Sequence, residues 1–266
     1  MTIAPRIIPI LDVDPEGHIM GGFIRGGLNL SHAKPAVLYL VSEGADEIWL
    51  RLANPDQRGA ANLFELIRMI QPTLFVPLVV GGAIASASDA RLLVGLGAVR
   101  VIIECSQLDY GDPVARVEEM VNAVGSDRVV AELVVRRVAA AESYTWEFCD
   151  HLGEGTEQDA FNLLQEICRV GAGEIVLKPY FKGELTNHAT DLVERLSTVA
   201  SVQVLSIGLE KEPADMATPL LMGADGVATR QVFNDGSHTV TDVKTMLRGF
   251  GIPVRPVPGP FERPSS

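Results

Sequence analysis

Short apolar, β-branched runs alternate along this chain with longer segments whose apolar positions recur at helical spacing. The runs predict strands over Arg6–Val13, Glu47–Ala53, Phe75–Val80, Val99–Glu104, Arg128–Val135, Glu174–Lys178, Val202–Ile207 and Gly226–Thr229. Each is too short for a helix and is bounded by Gly, Pro or Asp. Between them, the spacing predicts helices over Ala60–Ile70, Ala87–Leu96, Pro113–Val124, Glu157–Arg169 and Thr190–Thr198. Repeated strand–helix alternation implies a parallel sheet, and eight such units close into a (βα)8 TIM barrel of the α/β class. An open doubly wound sheet needs a glycine-rich turn after the first strand, and LDVDPEG does not supply one.

The pattern also repeats. GADEIWL (44–50) returns as GAGEIVL (171–177), VPLVVGGAI (76–84) weakly as VQVLSIGLE (202–210), and GLGAVRVI (95–102) as LMGADGVA (221–228). All three share nearly one offset, close to half the chain, so a two-fold half-barrel repeat of four βα units each is expected. Residues 1–255 read as one barrel domain, and residues 256–266, PVPGPFERPSS, as a Pro-rich flexible tail.

Composition narrows the partners. The 266 residues carry a formal charge of −12, which disfavours nucleic acid and anionic membrane surfaces. The N-terminal apolar run is broken by Pro9 and followed by acids, unlike a secretory signal, and no stretch is long and apolar enough to span a membrane. Cys105, Cys149 and Cys168 cannot pair completely and show no metal-ligand spacing. They read as reduced thiols of a cytoplasmic protein that needs no metal and no cofactor.

Five stretches carry a family likeness: RIIPILDV (6–13), EGADEIWL (43–50), VPLVVGGAI (76–84), GAGEIVL (171–177) and GIPVR (251–255). On these the chain resembles the cyclase subunit of imidazole glycerol phosphate synthase, the HisF family of histidine biosynthesis, and more distantly its isomerase relative. The resemblance implies a lyase or cyclase activity, a charged ring on the barrel floor, chemistry at the opposite mouth, and a glutaminase-like partner that delivers ammonia through the floor.

Carried over residue by residue, the resemblance is uneven. The floor ring falls on Arg6, Glu47, Arg100 and Glu174, whose alternating signs can satisfy one another. The first of the family's two acid/base aspartates is Asp12, placed uppermost on the inward face of its strand by alternation. The second falls on Val134, which cannot move a proton. The family's loop lysine falls on Met20 or Gly21, its strand-2 aspartate on Leu52, and its strand-6 aspartate on Phe181. Of the glycine-rich phosphate loops, Gly81-Gly82-Ala83 keeps two glycines and Ile207-Gly208-Leu209-Glu210 keeps one beside an added acid. An Asn position is Glu104, and an Ala-Ser pair is Arg230-Gln231.

Alternation places Asp12, Glu104, Lys178 and Arg230 at one mouth, with Glu132 below Val134 as a buried partner for Lys178. Asp12, Glu104 and Lys178 are the expected catalytic groups, and Gly81, Gly82, Gly208, Arg230 and Gln231 the expected anion-binding ones. The tight-turn explanation of Gly81-Gly82 stands beside the functional one. Cys105 has a carboxylate neighbour and reads as a buried apolar residue before a nucleophile. His18, His32, His151, His188 and His238 form no metal motif and read as loop residues.

Two functions follow as expectations. One is a diverged cyclase-type enzyme acting on a small anionic metabolite of histidine-like or secondary metabolism, with the ordinary family reaction impaired. The other is a non-catalytic scaffold docking a glutaminase-like or other subunit, or a second copy of itself as a homo-oligomer. In the second case, Val99 stands where the family has a partner-contacting acid.

Overall fold

The computed structural model describes residues 4–257 except 26–27, 54–56, 83, 108, 110, 141–142, 182–183, 186–188, 209 and 211. Ala83, Leu209, His188 and most of the expected tail therefore lie outside the described residues, as does the side chain of Phe181.

Eight parallel strands close on themselves. They are β1 (Arg6–Val13), β2 (Ile48–Leu52), β3 (Leu78–Gly81), β4 (Arg100–Glu104), β5 (Val129–Ala140), β6 (Glu174–Phe181), β7 (Gln203–Ser206) and β8 (Gly226–Thr229). Each pairs in parallel with the next, and β8 returns to β1 through Arg6↔Gly226 and Ile8↔Ala228. The expected (βα)8 barrel is thus present, with helices α1 (Ala33–Ser42), α2 (Gln57–Ile70), α3 (Ala87–Gly95), α4 (Pro113–Val124), α5 (Ala160–Arg169), α6 (Thr190–Val199), α7 (Ala217–Leu221), α8 (Gln231–Asn234) and α9 (Val240–Gly249) around it.

Local chemistry sets the helix starts. Ser86 and Asp89 form a reciprocal capping box on α3, and Thr239 and Asp242 do the same on α9. Asp112 caps α4 ahead of Pro113, and the Asp159 carboxylate accepts from the Asn162 amide at the start of α5. That last cap corrects the expected helix over Glu157–Arg169. Residues Gly155–Asp159 are instead a strand, and the helix begins at Ala160.

The recurring segments occupy like places. Gly44 and Gly171 both take positive φ in the turn that leads from a helix into a barrel strand, and Glu47 and Glu174 follow each at the same distance.

Side chains fill the barrel in layers. The middle layer is apolar, built from Ile8, Trp49, Val79, Ile102, Val130, Val176, Leu205 and Ala228. A second, larger core lies between strands and helices. β5 runs past the rim and folds back as an antiparallel hairpin through Ser143–Cys149, which pairs in turn with Gly155–Asp159. Arg136 Nε donates to Glu147 at 2.8 Å inside this extension, and Trp146 Nε1 donates to Asp191 of α6 at 3.0 Å.

The last helix locks onto the first units. Lys244 of α9 is fully buried, and its Nζ donates to the Gly44 carbonyl and to Asp46 Oδ1, both at 2.7 Å. Asp46 Oδ2 in turn accepts the Ile7 amide at 2.8 Å. No helix among the described residues is long and apolar enough to cross a membrane.

Candidate active site

At the N-terminal end of the barrel the four expected ring residues meet. Arg6 lies 2.9 Å from Glu47 and 3.0 Å from Glu174, and Arg100 lies 3.0 Å and 3.1 Å from the same two carboxylates. Trp49 Nε1 also donates to Glu47 at 2.6 Å. Burial raises the Glu174 carboxyl above its ordinary range even against the pull of Arg6 and Arg100. The ring is a closed, charge-balanced floor. Beside it Val99 is 43% exposed.

At the opposite end, Asp12, Glu104, Lys178 and Arg230 line one cavity of about 290 Å³, as alternation predicts. The residue that organises them is Arg51, which the sequence reading passes over. Its Nη1 donates to Glu132 at 2.8 Å, its Nη2 to Glu104 at 2.7 Å, and its Nε lies 3.9 Å from Asp12. Alternation carries the signal: Trp49 and Arg51 share one face of β2, Glu47 just before the strand keeps the same spacing, and Glu47 and Trp49 are floor and core residues.

Strand register explains why a guanidinium is needed there. Glu104 pairs across with Glu132 on adjacent strands, so two carboxylates stand side by side. Arg51 answers both with its planar fork. Lys178 Nζ adds a contact to Glu132 at 3.5 Å, and an Arg230 guanidinium nitrogen donates to Asp12 Oδ2. Burial pushes the Glu132 carboxyl up, but Arg51 first, then Lys178 and Arg230, outweigh it and hold the group below its ordinary range. Arg51 is itself raised further by the three acids, despite its burial. The result is a layer of three acids and three bases.

Val134 also lines this cavity, and its amide donates to Ser106 Oγ at 2.9 Å, so no proton-transfer group stands at that point. His151 does reach the cavity wall, carried there by the turn between the strands Ser143–Cys149 and Gly155–Asp159. Asp150 Oδ1 accepts the amides of Leu152 and Glu154 at 2.9 Å each and holds that turn. The other described histidines pair elsewhere. His18 stacks on His32 with ring centroids 4.3 Å apart, and His238 meets Glu212 at 3.3 Å.

A second cavity of about 710 Å³ adjoins the first through Arg230, which lines both. Met20, Gly21, Glu210 and Gln231 are on its wall, so the family's loop-lysine position contributes no amine. Arg230 is the most open member of the charged layer, with its side chain 39% exposed. Gly208, expected to offer its amide to an anion, donates it to Glu210 Oε1 at 2.8 Å. Gly82 has φ +82°, and any side chain there would run into the Leu52 backbone. Close packing of β3 on β2 therefore accounts for this glycine.

Cys105 is buried, and its thiol is pushed up to about 12, by burial first and by the Glu132 and Glu104 charges against the opposing pull of Arg116. It is a core residue. Among the described residues, no group of three or more His, Cys, Asp or Glu could hold a metal ion.

Known proteins resemble this chain along its length. A family model described as histidine biosynthesis protein matches residues 6–239. Proteins named imidazole glycerol phosphate synthase subunit HisF are similar over almost the whole chain. The one from Salinispora arenicola is 31% identical over 261 residues, covering 96% of this chain and all of the relative. Those from Frankia casuarinae and Thermobifida fusca are each 29% identical with the same coverage.

Proposed function

The chain belongs to the histidine biosynthesis protein family, and from that premise we propose that it is a HisF-like cyclase or lyase whose mouth has been rebuilt for a different small anionic metabolite. On this reading the ordinary family reaction is impaired. That reaction cleaves and cyclises a nucleotide precursor with ammonia, giving imidazole glycerol phosphate and an aminoimidazole carboxamide nucleotide.

The observation that carries the proposal is the pairing of Asp12. Its carboxylate is held between Arg230 and Arg51, and the position of its acid/base partner is Val134. A lone carboxylate bound by two guanidinium groups is a poor proton shuttle for a two-carboxylate mechanism. It suits a different use. A ligand anion that takes Arg230 frees Asp12 to act as base, with Lys178 and Arg51 stabilising developing negative charge.

Steady-state assay with the family substrate and exogenous ammonia tests this. Losing one acid/base member costs about 10²- to 10⁴-fold, so turnover is expected at least about 100-fold below that of an ordinary cyclase. Val134→Asp is expected to recover part of it. Turnover near the ordinary level refutes the proposal.

A second reading is favoured by the mutual neutralisation of the charged layer; within it the open Val99 on the floor, which removes a polar contact of the inherited partnership, favours self-association over a glutaminase-like partner. Here the barrel is a scaffold that docks a glutaminase-like subunit or another copy of itself. The word subunit in the relatives' names supports a partner. A thermal-shift screen against anionic metabolites and phosphosugars separates the two, since a ligand of the native state raises its stability by mass action. Stabilisation supports the enzyme; none, together with co-purification of a partner, supports the scaffold. The same reading makes residues 1–255 the folding unit, residues 256–266 an accessory tail, and the cytoplasm the working compartment.

A further inference from the structure

The loop after β7 places a carboxylate of the chain itself at the mouth. Glu210 is 2% exposed and stands on the wall of the larger cavity. Its Oε1 accepts the Gly208 amide at 2.8 Å, and its Oε2 accepts the Thr229 hydroxyl at 2.6 Å. Thr229 is itself buried. The two donors are uncharged, stand at the C-terminal ends of neighbouring strands β7 and β8, and converge on one anion. A main-chain amide and a hydroxyl aimed together in this way form an anion cradle. Arg230 lines the same cavity as Glu210.

We propose that Glu210 is a built-in ligand that fills this cradle and so closes the mouth, on that side, to a phosphate group. The substrate class follows. It carries its negative charge toward Arg230 and Lys178 and has no phosphate on the Glu210 side. A phosphate there would have to displace a tethered carboxylate whose effective concentration is high, and would meet its charge at close range.

This inference rests on the reading of the mouth as a ligand site, and it is tested by binding, without turnover. The probe is inorganic phosphate at constant ionic strength, titrated calorimetrically into wild type, Glu210→Ala, Glu210→Gln and the double variant Glu210→Ala/Thr229→Val. A charge-assisted hydrogen bond changes affinity by about ten-fold or more. Glu210→Ala is therefore expected to bind phosphate about ten-fold or more tighter than wild type, and Thr229→Val is expected to abolish that gain. Equal affinity in wild type and Glu210→Ala overturns the proposal. So does a gain that survives Thr229→Val, because the Thr229 hydroxyl would then be no part of the phosphate site.

Glu210→Gln removes the charge and keeps one of the two acceptor oxygens, so it keeps the test available if Glu210→Ala does not fold. Its phosphate affinity is expected to lie between those of wild type and Glu210→Ala; an affinity no tighter than wild type overturns the proposal. Failure of the ligand-site reading shows differently, as the absence of stabilisation of wild type by any metabolite.

Discussion

At the residue scale, Arg51 decides whether the mouth can exist. It contacts two of the three acids of its layer within 2.8 Å and is buried, so no water can replace it. Arg51→Met leaves Glu104 and Glu132 adjacent and poorly compensated. Removing one partner of such a buried group costs about 3–5 kcal/mol, which denaturant unfolding at neutral pH would measure. The pH dependence has a definite sign. Because Glu132 is held below its ordinary range in the fold, its contribution is present above the unfolded carboxyl pKa and is lost as pH falls through the lowered folded value. The stability gap between wild type and Arg51→Met is therefore expected to narrow on acidification below about pH 4. A gap that stays constant from neutral to strongly acidic pH would show that Arg51 acts only by packing.

At the scale of elements, the strands were readable because each is a short β-branched run with inward residues in alternation, and that same alternation gathered Asp12, Glu104, Lys178 and Arg230. What alternation could not supply was stagger between strands. The pairing of Glu104 with Glu132 and of Asp12 with Arg51 depends on register, which no single strand encodes. Similarly, the extension of β5 to Ala140 and its hairpin brought His151 to the mouth, a placement set by a turn far along the chain from β1. The Lys244 contact was equally hidden, since a lysine on an amphipathic helix is ordinarily solvated. Burial lowers the Lys244 ammonium against the pull of Asp46. Lys244→Met would strand Asp46 beneath α9. A loss of about 3–5 kcal/mol is expected, with early proteolytic release of the C-terminal helix; unchanged protease resistance would argue against its role in closing the barrel.

For the whole molecule, the family and the barrel were both legible in the sequence, because glycine turns and floor charges recur at fixed places in both halves. The cradle around Glu210 was legible only as an added acid; its occupancy by the chain itself needed three dimensions. The last described tertiary hydrogen bond joins Arg248 to the Arg255 carbonyl at 3.2 Å. Every core residue among the described ones lies at or before Val254, so ending the chain after Arg255 is expected to leave the midpoint of thermal unfolding within about 1 °C of the full-length value. A drop of several degrees would assign residues 256–266 a structural part in the domain.

The six-membered charged layer also limits how this molecule can change over time. Exchanging any one of Asp12, Arg51, Glu104, Glu132, Lys178 or Arg230 for an uncharged residue leaves an odd sign behind in a partly buried layer. Descendants of this chain should accordingly drift at these positions in matched pairs, one acid lost with one base. A lineage that altered a single member and kept the rest would need a bound ion or a ligand of its own to restore the balance.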